Sequence, residues 1–330
     1  MILGKEEYID FFISRFQLPP MINRRTFLQH SALLSMAAPF LSKMNFAPSS
    51  PLEVHVFSKH LQFLNYAEMA AAAADIGFSG IDLTVRPGGH VEPAAVAQQL
   101  PRAVEAIRQK GLLSTLMVTA INHLRDPLNQ TVLETAAQQG IQHYRLGWYQ
   151  YPEQIPLPEA LEKMQKDMQA LAKLNKKLGL KGSYQNHSGL YVGASIWEVW
   201  ELLEHTAPGV MGCQYDIRHA WVEGGQSWQT GLRLIHSRIN TLALKDFVWE
   251  KTAKGWQLSN VPIGTGMVDF KTYFGLLKKY NIQVPVSLHF EYDLGGAEHG
   301  NKDLGEASKR KVYAAMRQDL ERVQQLWREA

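Results

Sequence analysis

Asp216 and His219 stand three residues apart in the segment GCQYDIRHAWVEGG, Gly212 to Gly225, with Trp221 beside them. A carboxylate, an imidazole and an indole leaving one strand end together are able to grip a metal ion and a sugar ring. Three other strand-like stretches end in the same kinds of residue: YQNHSG with Gln185 and His187, LALKDF with Lys245 and Asp246, and SLHFEYD with His289 and Glu291. Side chains on a strand alternate faces with period two. Gln185 therefore shares a face with His187, Gln214 with Asp216, Ala243 with Lys245, and His289 with Glu291. Asp82, Thr84 and Arg86 share another, which leads into Pro-Gly-Gly-His90. Two carboxylates (Asp216, Glu291) and two imidazoles (His187, His219) meeting at one point suit Mn²⁺, Zn²⁺ or Co²⁺ and are too rich in nitrogen for Ca²⁺.

Each piece also has a plainer use. Asp-x-x-His caps loops, His187 fits a hydrogen-bonded turn, and Lys245-Asp246 reads as an ion pair closing a barrel in preference to a catalytic pair. Glu291 differs, because a carboxylate ending a central apolar strand needs a cation or donor beside it. Trp148, Trp221 and Trp249 follow strand-like stretches, and aromatic rings suit the apolar faces of sugars as well as rim packing. Gly264-Thr-Gly266 reads as a simple turn in preference to a phosphate cradle.

The elements that must position these groups are legible in the chain. Strands are expected at Glu53–Ser58, Gly80–Val85, Leu113–Thr119, His143–Gly147, Gly182–His187, Gly212–Arg218, Ile239–Asp246 and Val284–Tyr292. Helices are expected between and after them at Tyr66–Ile76, Pro93–Lys110, Thr131–Gln138, Pro158–Leu178, Ser195–His205, Ser227–His236, Phe270–Tyr280 and Glu306–Arg328. Eight strand-then-helix units in strict alternation predict a parallel sheet closed on itself, a single (β/α)8 TIM barrel of the α/β class over residues 49–330. In such barrels polar groups at the C-terminal strand ends build the site.

Composition narrows the function. The 330 residues are 45% hydrophobic and 20% charged with a net charge of +3, ordinary for a globular protein. Five basic side chains (Lys5, Arg15, Arg24, Arg25, Lys43) against three acidic ones put most of that charge before residue 44. The near-neutral remainder gives no concentrated basic face for nucleic acid. Cys213 is the single cysteine, so no disulfide forms within the chain, and its apolar surroundings predict a buried, inert thiol.

Residues 1–48 are expected to be an extension. NRRTFLQHSALLSMAAPFLS from Asn23 pairs two arginines with an apolar run too short to span a bilayer, which needs about 20 apolar residues. Arg24-Arg25-Thr-Phe-Leu resembles a twin-arginine export signal, an address and not an anchor. The expectation is a periplasmic or otherwise exported protein, handled by the Tat machinery, with Met21 as an alternative start.

With the barrel and its strand ends in view, the chain resembles the xylose-isomerase-like superfamily of sugar isomerases and epimerases, which also holds endonuclease IV relatives. YQNHSG, YDIRH, LKDF, GTGMVDF and FEYD carry the resemblance. It implies a divalent metal (Mn, Zn, Co or Mg) held by Asp216, Glu291, His219 and His187. It implies a keto-sugar or 3-keto-glycoside substrate whose proton is shuttled through an enediolate. Glu291, Lys245, Asp246 and His289 are then the catalytic candidates, and Arg86, His90, Gln185, Trp221 and Trp249 the substrate-binding ones. Relatives commonly carry histidine where this chain has Gln185 and Ala243, and those departures bear on the metal. A 3-keto-glycoside lyase and a carbohydrate-binding barrel with a degenerate site are the alternatives. Self-association into a homo-oligomer is compatible with every reading, and a DNA-repair role is disfavoured by the charge.

Overall fold

The computed structural model describes residues 51–330. The expected extension and its Arg24-Arg25 segment lie outside the described residues. β1 (Val54–Phe57), β2 (Gly80–Thr84), β3 (Leu113–Val118), β4 (His143–Arg145), β5 (Lys181–Gln185), β6 (Met211–Asp216) and β7 (Ile239–Leu244) run parallel. A hairpin of β8 (Asp246–Thr252) and β9 (Gly255–Val261) follows, then β10 (Val286–Leu288). β10 lies between β7 and β1, so eight parallel strands close into a barrel. The (β/α)8 expectation holds.

The surrounding helices are α1 (Tyr66–Ile76), α2 (Val96–Gln109), α3 (Pro127–Gln138), α4 (Leu157–Leu178), α5 (Ile196–Leu203), α6 (Ile217–Gly224), α7 (Trp228–Ile235), α8 (Phe270–Lys279) and α9 (Glu306–Glu329). Their ends follow local chemistry. Asn65 and Glu68 form a reciprocal capping box at the start of α1, and Gly77 ends it at φ 104°, a conformation that costs a residue with a Cβ. Gly179 closes α4 in the same left-handed way.

Strand faces divide the core. Tyr184 and Tyr215 are fully buried, and the Tyr215 ring stacks on Tyr273 of α8 at 6.1 Å. Residues of the opposite face turn polar groups into the barrel, where Ser287 donates to Asp82 at 2.7 Å and Gln185 to Asp216 at 2.8 Å.

Two elements differ from expectation. α6 starts directly at the end of β6, because Asp216 accepts the backbone N–H of His219 at 3.2 Å as a helix N-cap. His219 therefore stands in a helical first turn and not in a loop. The hairpin also went unforeseen: the segment after Lys245 alternates as DFVWEKT and GWQLSNV about a tight turn.

Candidate active site

β7 stops at Leu244, and Lys245 sends its side chain back toward β6. Register brings Asp216 beside Ala243, two residues before that lysine. Lys245 Nζ lies 3.0 Å from Asp216 Oδ2, 2.8 Å from His219 Nε2 and 3.3 Å from Glu291 Oε2. Lysine has three N–H donors and no acceptor, so these three contacts use all of them. Burial, then Lys245, His187 and Arg218, hold the His219 imidazole well below its ordinary pKa, so it is a neutral acceptor. Its Nδ1 lies 2.8 Å from Ser188 Oγ.

Glu291 is partly exposed beyond the end of β10. Burial pushes its carboxyl up, but Lys245, His289 and Lys59 together bring it well below the usual carboxylate range. His289 stacks on Phe57 at 4.3 Å and puts Nδ1 3.8 Å from Glu291 Oε1. Burial lowers the His289 and His187 imidazoles to about 4, so both are neutral near pH 7. The His187 ring packs on His219 at 4.0 Å and on Trp148 at 4.5 Å.

These groups wall a cavity of about 330 Å³. Of the residues expected from sequence, Glu291, Lys245, His289, His187, Gln185 and Arg86 line it, with Asp216 and His219 bonded to Lys245 behind. Four expected residues lie off this wall. The Asp246 carboxylate accepts the backbone N–H groups of Phe247, Gly264, Gly266 and Val268, so it anchors the Gly264-Thr-Gly266 loop and forms no pair with Lys245. His90 is tied up with Ser58, Thr84 and the Leu61 carbonyl, outside the cavity wall. Trp221 stacks on Trp228 at 6.1 Å in the helix layer. Trp249 is 43% exposed on the hairpin.

Other lining residues escaped the sequence reading. Arg145 ends β4 with its guanidinium 4.1 Å above the Trp148 ring, and its Nη1 donates to Gln185 Oε1 at 3.1 Å. A charged residue inside a buried strand was the available signal. Lys59 comes from the short turn after β1, and Asn260 from β9, where nothing local marked them.

A divalent ion needs several lone pairs aimed at one point. Among the described residues no three His, Cys, Asp or Glu side chains form such a group. The point shared by Asp216, His219 and Glu291 is filled by the Lys245 ammonium, which is itself a cation. Gln185 turns its amide N–H to Asp216 Oδ2, and Ala243 has no donor atom. These residues do not fit the metal expected of Asp216, His219, His187 and Glu291.

Comparison with known proteins places this geometry. A D-allulose 3-epimerase from Methylomonas sp., solved with D-allulose, superposes with a TM-score of 0.59 at 15% identity, covering 83% of this chain and 97% of that one. The 3-keto-D-glucoside 4-epimerase of E. coli gives 0.59 at 12% identity, covering 80% and 98%. A xylose isomerase-like barrel protein from Mycobacterium smegmatis, solved with magnesium, gives 0.62 at 10% identity, covering 86% and 98%. Identities this low speak for the fold alone. Among curated proteins none matches by sequence. The family described as xylose isomerase-like TIM barrel matches residues 70–311, most of the barrel and more than half of the chain, and the protein belongs to that family.

Proposed function

We propose that this barrel moves a proton at the carbon beside a carbohydrate carbonyl, the chemistry of a sugar isomerase or epimerase. In this reading Glu291 is the base, and the Lys245 ammonium stabilises the charge that forms on oxygen in place of a divalent ion. The observation that carries it is the Lys245 contact with Asp216, His219 and Glu291 on the cavity wall.

A C–H proton next to a carbonyl is a poor acid, so its removal needs a base and a counter-charge held ready for the oxygen. At rest the ammonium bonds to Glu291 and keeps that carboxylate a weak base. A carbonyl oxygen entering the cavity competes for the Nζ hydrogen that Glu291 holds. As that hydrogen turns to the substrate, Glu291 loses its neighbour and gains basicity. Glu291 then takes the C–H proton, the electron pair shifts onto oxygen, and the enediolate faces the ammonium. The hydroxyl proton of the adjacent carbon passes to that oxygen, the C–H proton returns from Glu291 to the former carbonyl carbon, and the adjacent carbon becomes the new carbonyl, which completes an isomerisation. Glu298, the other carboxylate on the wall, is pinned by the N–H groups of Leu294 and Gly296. Glu291 is then the one wall carboxylate not held by backbone N–H groups, which favours this one-base transfer over two-base epimerisation. The same enediolate expels a β-leaving group from a 3-keto-glycoside, which is the lyase variant.

The loss of metal-binding side chains at Gln185 and Ala243 favours a second reading, a binding barrel without turnover. Deuterium uptake from D₂O into a panel of keto-sugars and 3-keto-glycosides separates the two. Uptake that Glu291→Gln abolishes supports the enzyme; tight binding without uptake supports the binding protein. We also propose export, on the Arg24-Arg25 segment. Retention of an Arg24→Lys, Arg25→Lys double variant in the cytoplasm, with the unaltered chain outside it, is the expected result.

A further inference from the structure

We propose that the ligand of this cavity carries an acidic group, a carboxylate or a phosphate, received by Arg145, Arg86 and Lys59. This deepens the reading above and rests on it for the sugar portion of the ligand.

Four cations line the cavity: Lys59, Arg86, Arg145 and Lys245. Lys245 is matched by Asp216 and Glu291. The other three form no ion pair with any carboxylate among the described residues. Arg145 is the sharpest case. It is 4% exposed, its Nε is buried with no hydrogen-bond partner, and Gln185 Oε1 supplies only a neutral acceptor. Burying a guanidinium without a counter-ion is costly, and packing on Trp148 offsets only part of that cost.

The neighbours make matters worse. Burial and the Arg86 charge lower the Arg145 guanidinium to about 9. Lys59 is lowered by burial against the pull of Glu291, with Arg86, Lys245 and Arg145 adding to the drop. Asp82 acts on both arginines, yet burial raises its carboxyl to about 6 even with Ser287, Arg145 and Arg86 beside it. It accepts from Ser287 and makes no ion pair with either arginine.

Asp82 and Glu291 pull on these charges without pairing directly with any of the three, and an anion entering the cavity would supply the missing partner. Planar guanidinium forks pair well with carboxylate and phosphate oxygens. The cavity of about 330 Å³ lies at the small end of ligand pockets, about 300–1,000 Å³. It therefore fits one sugar unit, with the acidic group on the arginine side and the carbonyl toward Lys245.

The test is calorimetric binding of glucuronate, glucose 6-phosphate and glucose to the full chain and to Arg145→Met and Arg86→Met, with thermal midpoints measured alongside. At least one acidic sugar is expected to bind about tenfold or more tighter than glucose, a difference of about 1.4 kcal/mol, and each variant should lose that preference. The arm that binds tighter separates carboxylate from phosphate. Arg145→Met should melt no lower than the unaltered chain, because it removes an unmatched buried charge; a lower midpoint would mark a structural arginine. Acidic sugars binding no tighter than glucose, or an unchanged preference in both variants, would overturn the proposal. Preference without deuterium uptake leaves the anion site standing and removes the isomerase. Uptake into neutral sugars without any preference does the reverse.

Discussion

Lys245 Nζ stands 3.0 Å from Asp216 Oδ2 at the junction of β6 and β7, so an ammonium occupies the point toward which Asp216, His219 and Glu291 turn. Exchanging the lysine for a residue without charge should therefore have two effects. Lys245→Ala is expected to cut turnover by about 10²–10³-fold, the usual cost of removing a group that stabilises developing charge. It should also free Asp216, His219 and Glu291 to bind Mn²⁺, measurable by calorimetry, where the unaltered chain takes up little. Stoichiometric Mn²⁺ in the unaltered chain, with no gain in the variant, would refute the substitution of lysine for metal.

Glu291→Gln keeps the side-chain shape and removes the base. Deuterium exchange should fall by about 10²–10⁴-fold, while sugar binding by calorimetry persists. Exchange at the original rate would remove Glu291 from the mechanism.

Asp246 has a structural task. Asp246→Ala leaves four backbone N–H groups without their acceptor, and denaturant unfolding should show a loss of about 2–4 kcal/mol. Gly266→Ala should damage the same loop, since a Cβ there would run into the Asp246 carboxylate and the Phe247 carbonyl. Turnover per folded molecule should stay unchanged in Asp246→Ala. A large loss of turnover at full stability would restore the residue to the chemistry.

Acid should unfold this protein early. Burial brings His55, His90, His143, His187 and His289 down to about 4, and holds His60 and His219 well below their ordinary value. Their ordinary value is 6.5, so between pH 6.5 and 4 the unfolded chain binds more protons than the folded one. The stability these rings contribute is complete above pH 6.5 and is lost as pH falls through that window. Asp82 and Asp319, raised by burial to about 6, act in the opposite sense but are outnumbered. Thermal midpoints should fall steeply below pH 6, and less steeply in His143→Gln. A flat profile from pH 7 to 4.5 would contradict these assignments.

Much of the barrel was legible because its signals are local. Each expected strand has a counterpart, and α1 spans the expected residues, because strand and helix periods and caps depend only on near neighbours. The inward faces followed from the same alternation, which is why Gln185, Lys245, His289 and Glu291 all reach one cavity. The departures fell at strand ends. Asp246 reads in sequence as a partner of Lys245 or a catalytic carboxylate, whereas its four donors come from its own neighbour and from residues 18 to 22 positions further on. Trp221 entered a helix whose start is marked only by the Asp216 cap.

By itself the chain determined a parallel eight-stranded barrel and the types of side chain its strand ends carry, since chain periodicity and face are properties of short segments. Only the tertiary structure decided which charge meets which. Closure sets Ala243 beside Asp216 and Ser287, and that register lets Lys245 reach two carboxylates from different strands. It also leaves Arg145 with no carboxylate partner. Ionic partners separated by tens of residues are chosen by strand register and burial, and neither quantity exists until the barrel has closed.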